Sequence, residues 1–109
     1  MSIKLIKNIK QNICNINNNM EITDNTYYIG DNLSYLSKLD ANSISLIYFD
    51  PPYNTGRNFY DFNDKFTSPN DYVNFIKERV IECYRILKPG GNIIIHIEPK
   101  ISHYFRFIC

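Results

Sequence analysis

Between Ser43 and Phe49 the chain reads Ser-Ile-Ser-Leu-Ile-Tyr-Phe and then meets Asp50-Pro51-Pro52. A short apolar run closed by turn residues reads as a buried strand. The prolines fix φ near about −65° and keep the preceding residue extended, so this strand cannot roll over into a helix. In open α/β sheets ligands bind beyond the carboxyl ends of the strands. Asp50-Pro51-Pro52-Tyr53-Asn54-Thr55-Gly56 therefore stands at the edge where chemistry is expected.

The downstream pattern supplies the rest of a β-α-β unit. Ser68 is a good N-cap, Pro69 suits the first helical position, and Asp71 places an acid in the first turn. The spacing predicts a helix to Leu87, with Tyr72, Ile76, Val80, Cys83 and Leu87 as a core-facing stripe. Pro89-Gly90-Gly91 ends it. Asn92 to Ile97, with Ile93, Ile94, Ile95 and Ile97, predicts a second strand apolar on both faces, as in parallel sheets. His96 interrupts that run and reads as a satisfied strand-end histidine rather than a catalytic base. Glu98-Pro99 breaks the strand, and Ile101 to Cys109 opens another amphipathic helix. Upstream, Thr26 to Ile29 predicts a short strand, Gly30 a turn, and Asn32 to Leu39 a helix carrying Leu33, Leu36 and Leu39 on one face.

Residues 1–25 form a low-complexity lead-in, Asn-rich from Asn8 to Asn25, expected to be frayed or weakly helical. The domain is expected over 26–109. At 109 residues, 44% hydrophobic and 15% aromatic, the chain has enough apolar matter for one small core. A net charge of +1 gives little independent support for nucleic-acid binding. Cys14, Cys83 and Cys109 lack metal-ligand spacing and read as free thiols in a reducing cytoplasm. Lys4, Lys7 and Lys10 flank no long apolar core, so neither a signal peptide nor a membrane span is supported.

The chemistry of residues 50–53 follows from their atoms. Prolines donate no N–H, so a carboxylate and main-chain carbonyls form a stiff bracket of acceptors that ends in the aromatic face of Tyr53. Such a bracket suits an exocyclic amine on a planar ring. That amine is a poor nucleophile because its lone pair is delocalised; acceptors on its N–H bonds favour a pyramidal nitrogen open to alkylation. Positioning and electrostatics would then carry the reaction.

Asp50 to Tyr53 resembles the catalytic tetrapeptide of amino-methylating DNA methyltransferases. The run through Gly56 is similar to adenine-specific (N6) enzymes of restriction-modification systems, nearest to type III modification subunits. Tyr28-Ile29-Gly30-Asp31-Asn32-Leu33 and Leu87-Lys88-Pro89-Gly90-Gly91 also resemble landmarks of that family. The resemblance covers about Tyr27 to Arg106. It implies a Rossmann-like, S-adenosylmethionine-dependent fold, DNA as partner, and Asp50, Pro51, Pro52 and Tyr53 as catalytic residues. Asp50 and a proline carbonyl would hold the adenine N6, with Tyr53 stacked on a base extruded from the duplex. Tyr53, Asn54 and Arg57 fall on the substrate side, Asp31 and Asp50 on the cofactor side. Asp31 reads equally well as a simple N-cap.

Asn54 to Thr67 is expected as a long loop in which Phe59, Tyr60, Phe62 and Phe66 either cover a flipped base or pack against protein, while Arg57 meets phosphate. The donor site is where the pattern thins. The only glycines are Gly30, Gly56, Gly90 and Gly91, and none forms the Gly-x-Gly turn that lets backbone approach such a ligand. That absence fits a family member in permuted order, with the catalytic half first and the cofactor-binding half last; the resemblance then implies a partial α/β fold, a parallel sheet lacking the cofactor-binding strands, in which the Thr26 to Ile29 strand and the catalytic strand are not neighbours. One edge of the catalytic strand should be left unpaired. Three readings stay open: a truncated, inactive catalytic half; one half of a split enzyme that acts with a separately encoded cofactor-binding half or a restriction subunit; and a non-catalytic nucleic-acid-binding remnant.

Overall fold

A computed structural model describes residues 12–15, 26–57 and 64–109. The strands are β1 (Asn12–Asn15), β2 (Thr26–Ile29), β3 (Ile44–Phe49) and β4 (Leu87–Ile95). The helices are α1 (Asn32–Leu36), α2 (Pro69–Ile86) and α3 (Ser102–Ile108), the last preceded by a 3-10 turn at Pro99–Ile101. β1 pairs with β2 and β3 with β4, both in parallel, as separate two-stranded sheets. The fold is thus α/β with parallel pairing, and β2 and β3 are not neighbours. Among the described residues β3 is paired along one edge only.

The helix α2 forms where its caps dictate. The Ser68 side chain accepts from the Asp71 N–H at 3.1 Å and Pro69 opens the first turn. It ends at Ile86, and Leu87 turns directly into the extended region at ψ 131°, ahead of Pro89-Gly90-Gly91. The register jumps there, from Ile44 opposite Leu87 to Leu46 opposite Asn92. Gly91 allows this close turn, because a Cβ on it would sit 2.9 Å from the Leu87 side chain and from the Lys88 carbonyl.

The core lies on one face of the β3–β4 pair. Ile47 and Phe49 pack against Tyr72, Ile76, Cys83 and Ile86 of α2 and against Ile101 and Phe105. Burying each large apolar side chain contributes about 1.5–3 kcal/mol. Burial also pushes the Cys83 thiol up to about 11. On the opposite face Leu46, Tyr48 and Ile94 are exposed. The second strand was expected to be buried on both faces; Ile94 is exposed on the face that the described helices leave open, and Ile93, which pairs with Ile47 on the other face, is exposed as well.

Three further departures have local causes. Asn12–Asn15, inside the stretch expected to be frayed or weakly helical, pairs with β2 along four registered positions. Backbone hydrogen bonds to a parallel neighbour need no apolar side-chain pattern. The first helix stops at Leu36, where Arg85 from α2 donates to the carbonyls of Leu36 and Leu39 at 2.8 and 2.9 Å and satisfies a helix end. Leu36 is core and Leu39 packs on it, while Leu33 lies outside that cluster. Cys83 and Cys109 are free thiols. No helix among the described residues is long and apolar enough to cross a membrane.

Candidate active site

β3 delivers Asp50 to its carboxyl tip, and β4 delivers His96 beside it. The His96 N–H donates to the Phe49 carbonyl at 2.9 Å, which extends the ladder one step past the last strand pair and fixes the imidazole next to the carboxylate. The Asp50 side chain is half exposed, at 51%. The Tyr53 hydroxyl donates to Asp50 Oδ1 at 3.0 Å and lies 2.6 Å from His96 Nδ1, which is itself 3.3 Å from Asp50 Oδ1. The Tyr53 and His96 rings meet edge-on with centroids 5.9 Å apart. Burial, then the hydrogen bond and charge of Asp50, push the Tyr53 phenol up to about 12, so it stays a neutral donor.

The two prolines differ in what they offer. The Pro52 carbonyl accepts the hydroxyl of Tyr72, a fully buried α2 residue, at 2.9 Å. The Pro51 carbonyl accepts no hydrogen bond among the described residues, and Pro51 itself is buried. Burial raises the Tyr72 phenol above its usual range, with Asp64 adding to the effect. Tyr72 is thus a strut from the core to the corner, and its place on the apolar stripe gave no hint of that polar task.

Asn54 and Gly56 turn the chain at φ 55° and 75°. The turn is clasped by Asp64, which is 2% exposed. Its carboxylate accepts from the N–H of Asn54 at 2.8 Å, the N–H of Thr55 at 2.9 Å and the hydroxyl of Thr55 at 2.6 Å. Its main chain adds bonds to Gly56 and Arg57. Asn54 in turn accepts from the Phe66 N–H at 3.3 Å. So Asn54 is spent on the loop, whereas Arg57 is exposed. Phe66 packs against protein, edge-on to Tyr72 and Phe75. Phe59, Tyr60 and Phe62 lie outside the described residues.

Asp31 stands apart from this corner. It N-caps α1, with Oδ1 accepting from Leu33 N–H at 3.4 Å, and pairs with Arg79 at 2.6 Å. Arg79 is 4% exposed, lies over the Phe75 ring at 3.5 Å, and donates to Asn32 Oδ1 at 2.9 Å. Among the described residues Asn32 Nδ2 is buried without a partner. Sequence reasoning missed Asp64, Arg79 and the role of Tyr72. A charged residue within the apolar spacing of α2 was the one available signal, at Arg79.

Residues 44–109 match the family model described as DNA methylase. The chain is similar to the type II methyltransferase M.HpaI of Haemophilus parainfluenzae, 42% identical over 67% of this chain and 23% of that protein. It is also similar to the DNA adenine methyltransferase YhdJ of Escherichia coli, 38% identical over 61% of this chain and 22% of that protein. A probable type III restriction-modification enzyme HindVI Mod subunit of Haemophilus influenzae is 32% identical over 70% of this chain and 10% of its own length. The chain therefore spans less than a quarter of the length of these relatives. No solved structure matches it.

Proposed function

Since the chain belongs to the DNA methylase family, we propose that its 50–53 corner holds the exocyclic amine of an adenine in DNA for methylation at N6, with S-adenosylmethionine as donor. The observation that carries this is a half-exposed carboxylate at a strand tip, with Oδ1 tied to Tyr53 and His96 and no partner on Oδ2 among the described residues. Asp50 Oδ2 and the Pro51 carbonyl are then the two acceptors for the amine, because the Pro52 carbonyl is engaged by Tyr72. Both are fixed before the base arrives, which is how preorganised dipoles lower a barrier. Tyr53 offers the stacking face and exposed Arg57 a phosphate contact. The Asp50 start, the Asn-Thr-Gly continuation and the similarity to YhdJ support adenine as the target.

The donor supplies an electrophilic methyl group when bound. Asp31, whose side chain is 54% exposed and whose Oδ2 has no partner among the described residues, is an acceptor for the adenine amine of that donor. Asn32 Nδ2, a buried donor without a partner among the described residues, suits a ring nitrogen acceptor. The methionine end finds no glycine turn in this sequence. On this reading it is cradled by polypeptide beyond these 109 residues, in a Rossmann-like fold that this α/β unit joins, within a cytoplasmic restriction-modification system.

The test is methyl transfer from radiolabelled donor to duplex DNA, with the chain alone and with a donor-binding polypeptide contiguous or separately encoded, followed by nucleoside analysis. N6-methyladenine from the complemented form, abolished by Asp50→Ala, is expected. Methylation that survives Asp50→Ala, or no DNA methylation in either form, would overturn the reading.

A further inference from the structure

We propose that His96 is a positioning residue for this corner: it donates Nδ1–H to the Tyr53 hydroxyl oxygen, which donates in turn to Asp50 Oδ1, leaving Oδ2 as the oxygen presented to the base. The inference rests on the base-gripping role of Asp50 for its purpose, but not for its geometry. Asp50 Oδ1, the Tyr53 oxygen and His96 Nδ1 lie 3.0, 2.6 and 3.3 Å from one another. All three separations fall in the range of hydrogen bonds or just beyond it, and only two protons can fill them.

Where those protons sit follows from elimination. A phenol carries one O–H. If Tyr53 donated to a bare Nδ1, its lone pairs would face Asp50 Oδ1 at 3.0 Å with no proton between them, and the 3.3 Å contact of Nδ1 with Oδ1 would also be empty. With Nδ1 protonated, Tyr53 receives one hydrogen bond and gives one, and the third contact is favourable as well. The tautomer of an imidazole is set by such neighbours.

The consequence is a ring fixed from both strands. Tyr53 follows β3 through the two prolines, while His96 is anchored to the end of β4 by its main-chain bond to Phe49. The stacking face of Tyr53 is thereby held at one tilt relative to Asp50. A carboxylate with one oxygen occupied can present only the other, which selects one approach for an amine.

The chain holds two histidines, His96 and His103, so a histidine-labelled sample gives two imidazole spectra, assigned by His103→Gln. Two-bond proton–nitrogen correlation at pH 8.5 should show His96 protonated at Nδ1, and Tyr53→Phe should weaken that preference, leaving only the longer contact of Nδ1 with Asp50 Oδ1 at 3.3 Å. A bare Nδ1 in the native chain, or a spectrum indifferent to Tyr53→Phe, would overturn the proposal. In the complemented enzyme His96→Asn, which retains an amide N–H near the place of Nδ1, should keep kcat. His96→Ala should lower kcat about threefold to tenfold, the worth of one hydrogen bond, with KM for DNA little changed. A fall in KM-based affinity with kcat intact would contradict positioning. Loss of the tautomer signature with Asp50→Ala still inactive sinks this inference alone; an intact signature with Asp50→Ala fully active sinks the base-gripping role alone.

Discussion

Asp64→Ala isolates the device that shapes the loop after the corner. The substitution removes three charge-assisted hydrogen bonds, to Asn54 N–H, Thr55 N–H and the Thr55 hydroxyl. Each is worth about 1.5–3 kcal/mol where the acceptor is ionised, but such values do not add when they share one carboxylate. Thr55 is exposed, so water can reach its freed groups; Asn54 is half-buried and its N–H is the group left most poorly solvated. The backbone bonds of Asp64 to Gly56 and Arg57 survive the change. The expected loss is therefore about 2–4 kcal/mol, less than three separate bonds would give. That is a large share of the roughly 5–15 kcal/mol that holds a small domain together. Urea unfolding followed by circular dichroism measures it, and amide exchange at Asn54 and Thr55 locates it. A change under about 0.5 kcal/mol, the ordinary scatter of surface substitutions, with unaltered exchange at both amides would refute the clasp.

Arg79→Met should destabilise by about 3 kcal/mol, because it strands buried Asn32 and removes the stacking on Phe75 while leaving Asp31 partly hydrated; chemical denaturation of the variant reads this directly. Tyr72→Phe should cost about 1 kcal/mol and mobilise Pro52, visible as line broadening at Tyr53, since only the hydroxyl to the Pro52 carbonyl is lost. Tyr53 and Tyr72 both have phenols raised by folding, so the native chain holds their protons more tightly than the unfolded one. Their contribution is fully present below the unfolded value of 10.0 and is lost as pH rises toward about 12, a window in which Tyr53→Phe should flatten the decline of Tm with pH.

What could be read from the chain alone divides by the range of the interaction. Caps and breakers act within a turn, so the start of α2 at Ser68 and Pro69 was legible, as was the strand ending at Phe49. The stripe of Tyr72, Ile76 and Cys83 was legible because helical period projects it onto one face, and all three are fully buried. Val80 and Leu87, expected on the same stripe, are partly buried against that core, while Ile86 and Arg79 are fully buried beside it. Arg79 replaces an apolar contact with an ion pair to Asp31, and nothing local in the sequence specifies that partner 48 positions away. Asp31 was equally legible as N-cap and as ligand residue; the structure shows the cap, and the ion pair with it. The exposed outer face of β3 and β4 had no local signature either, because an isoleucine reads as buried whether or not a helix lies over it.

The corner itself shows why a tetrapeptide alone cannot make such a site. Asp50 to Tyr53 is stiffened by two prolines, yet its orientation is set by partners 43, 20 and 10 residues distant: His96 on Tyr53, Tyr72 on Pro52, and Asp64 on Asn54. Each tie closes a chain loop whose entropy is lost only once, during folding, and not again when a base binds. A free peptide of the same residues would have to order its acceptors at the moment of binding, at about 1–2 kcal/mol per residue of backbone alone. Over four residues that exceeds the roughly 1–3 kcal/mol available from one stacked aromatic ring. On the proposed reading the β3–α2–β4 unit is therefore part of the base-holding corner in the thermodynamic sense, and substitutions that loosen its three ties should lower kcat even though none of His96, Tyr72 or Asp64 needs to touch the base.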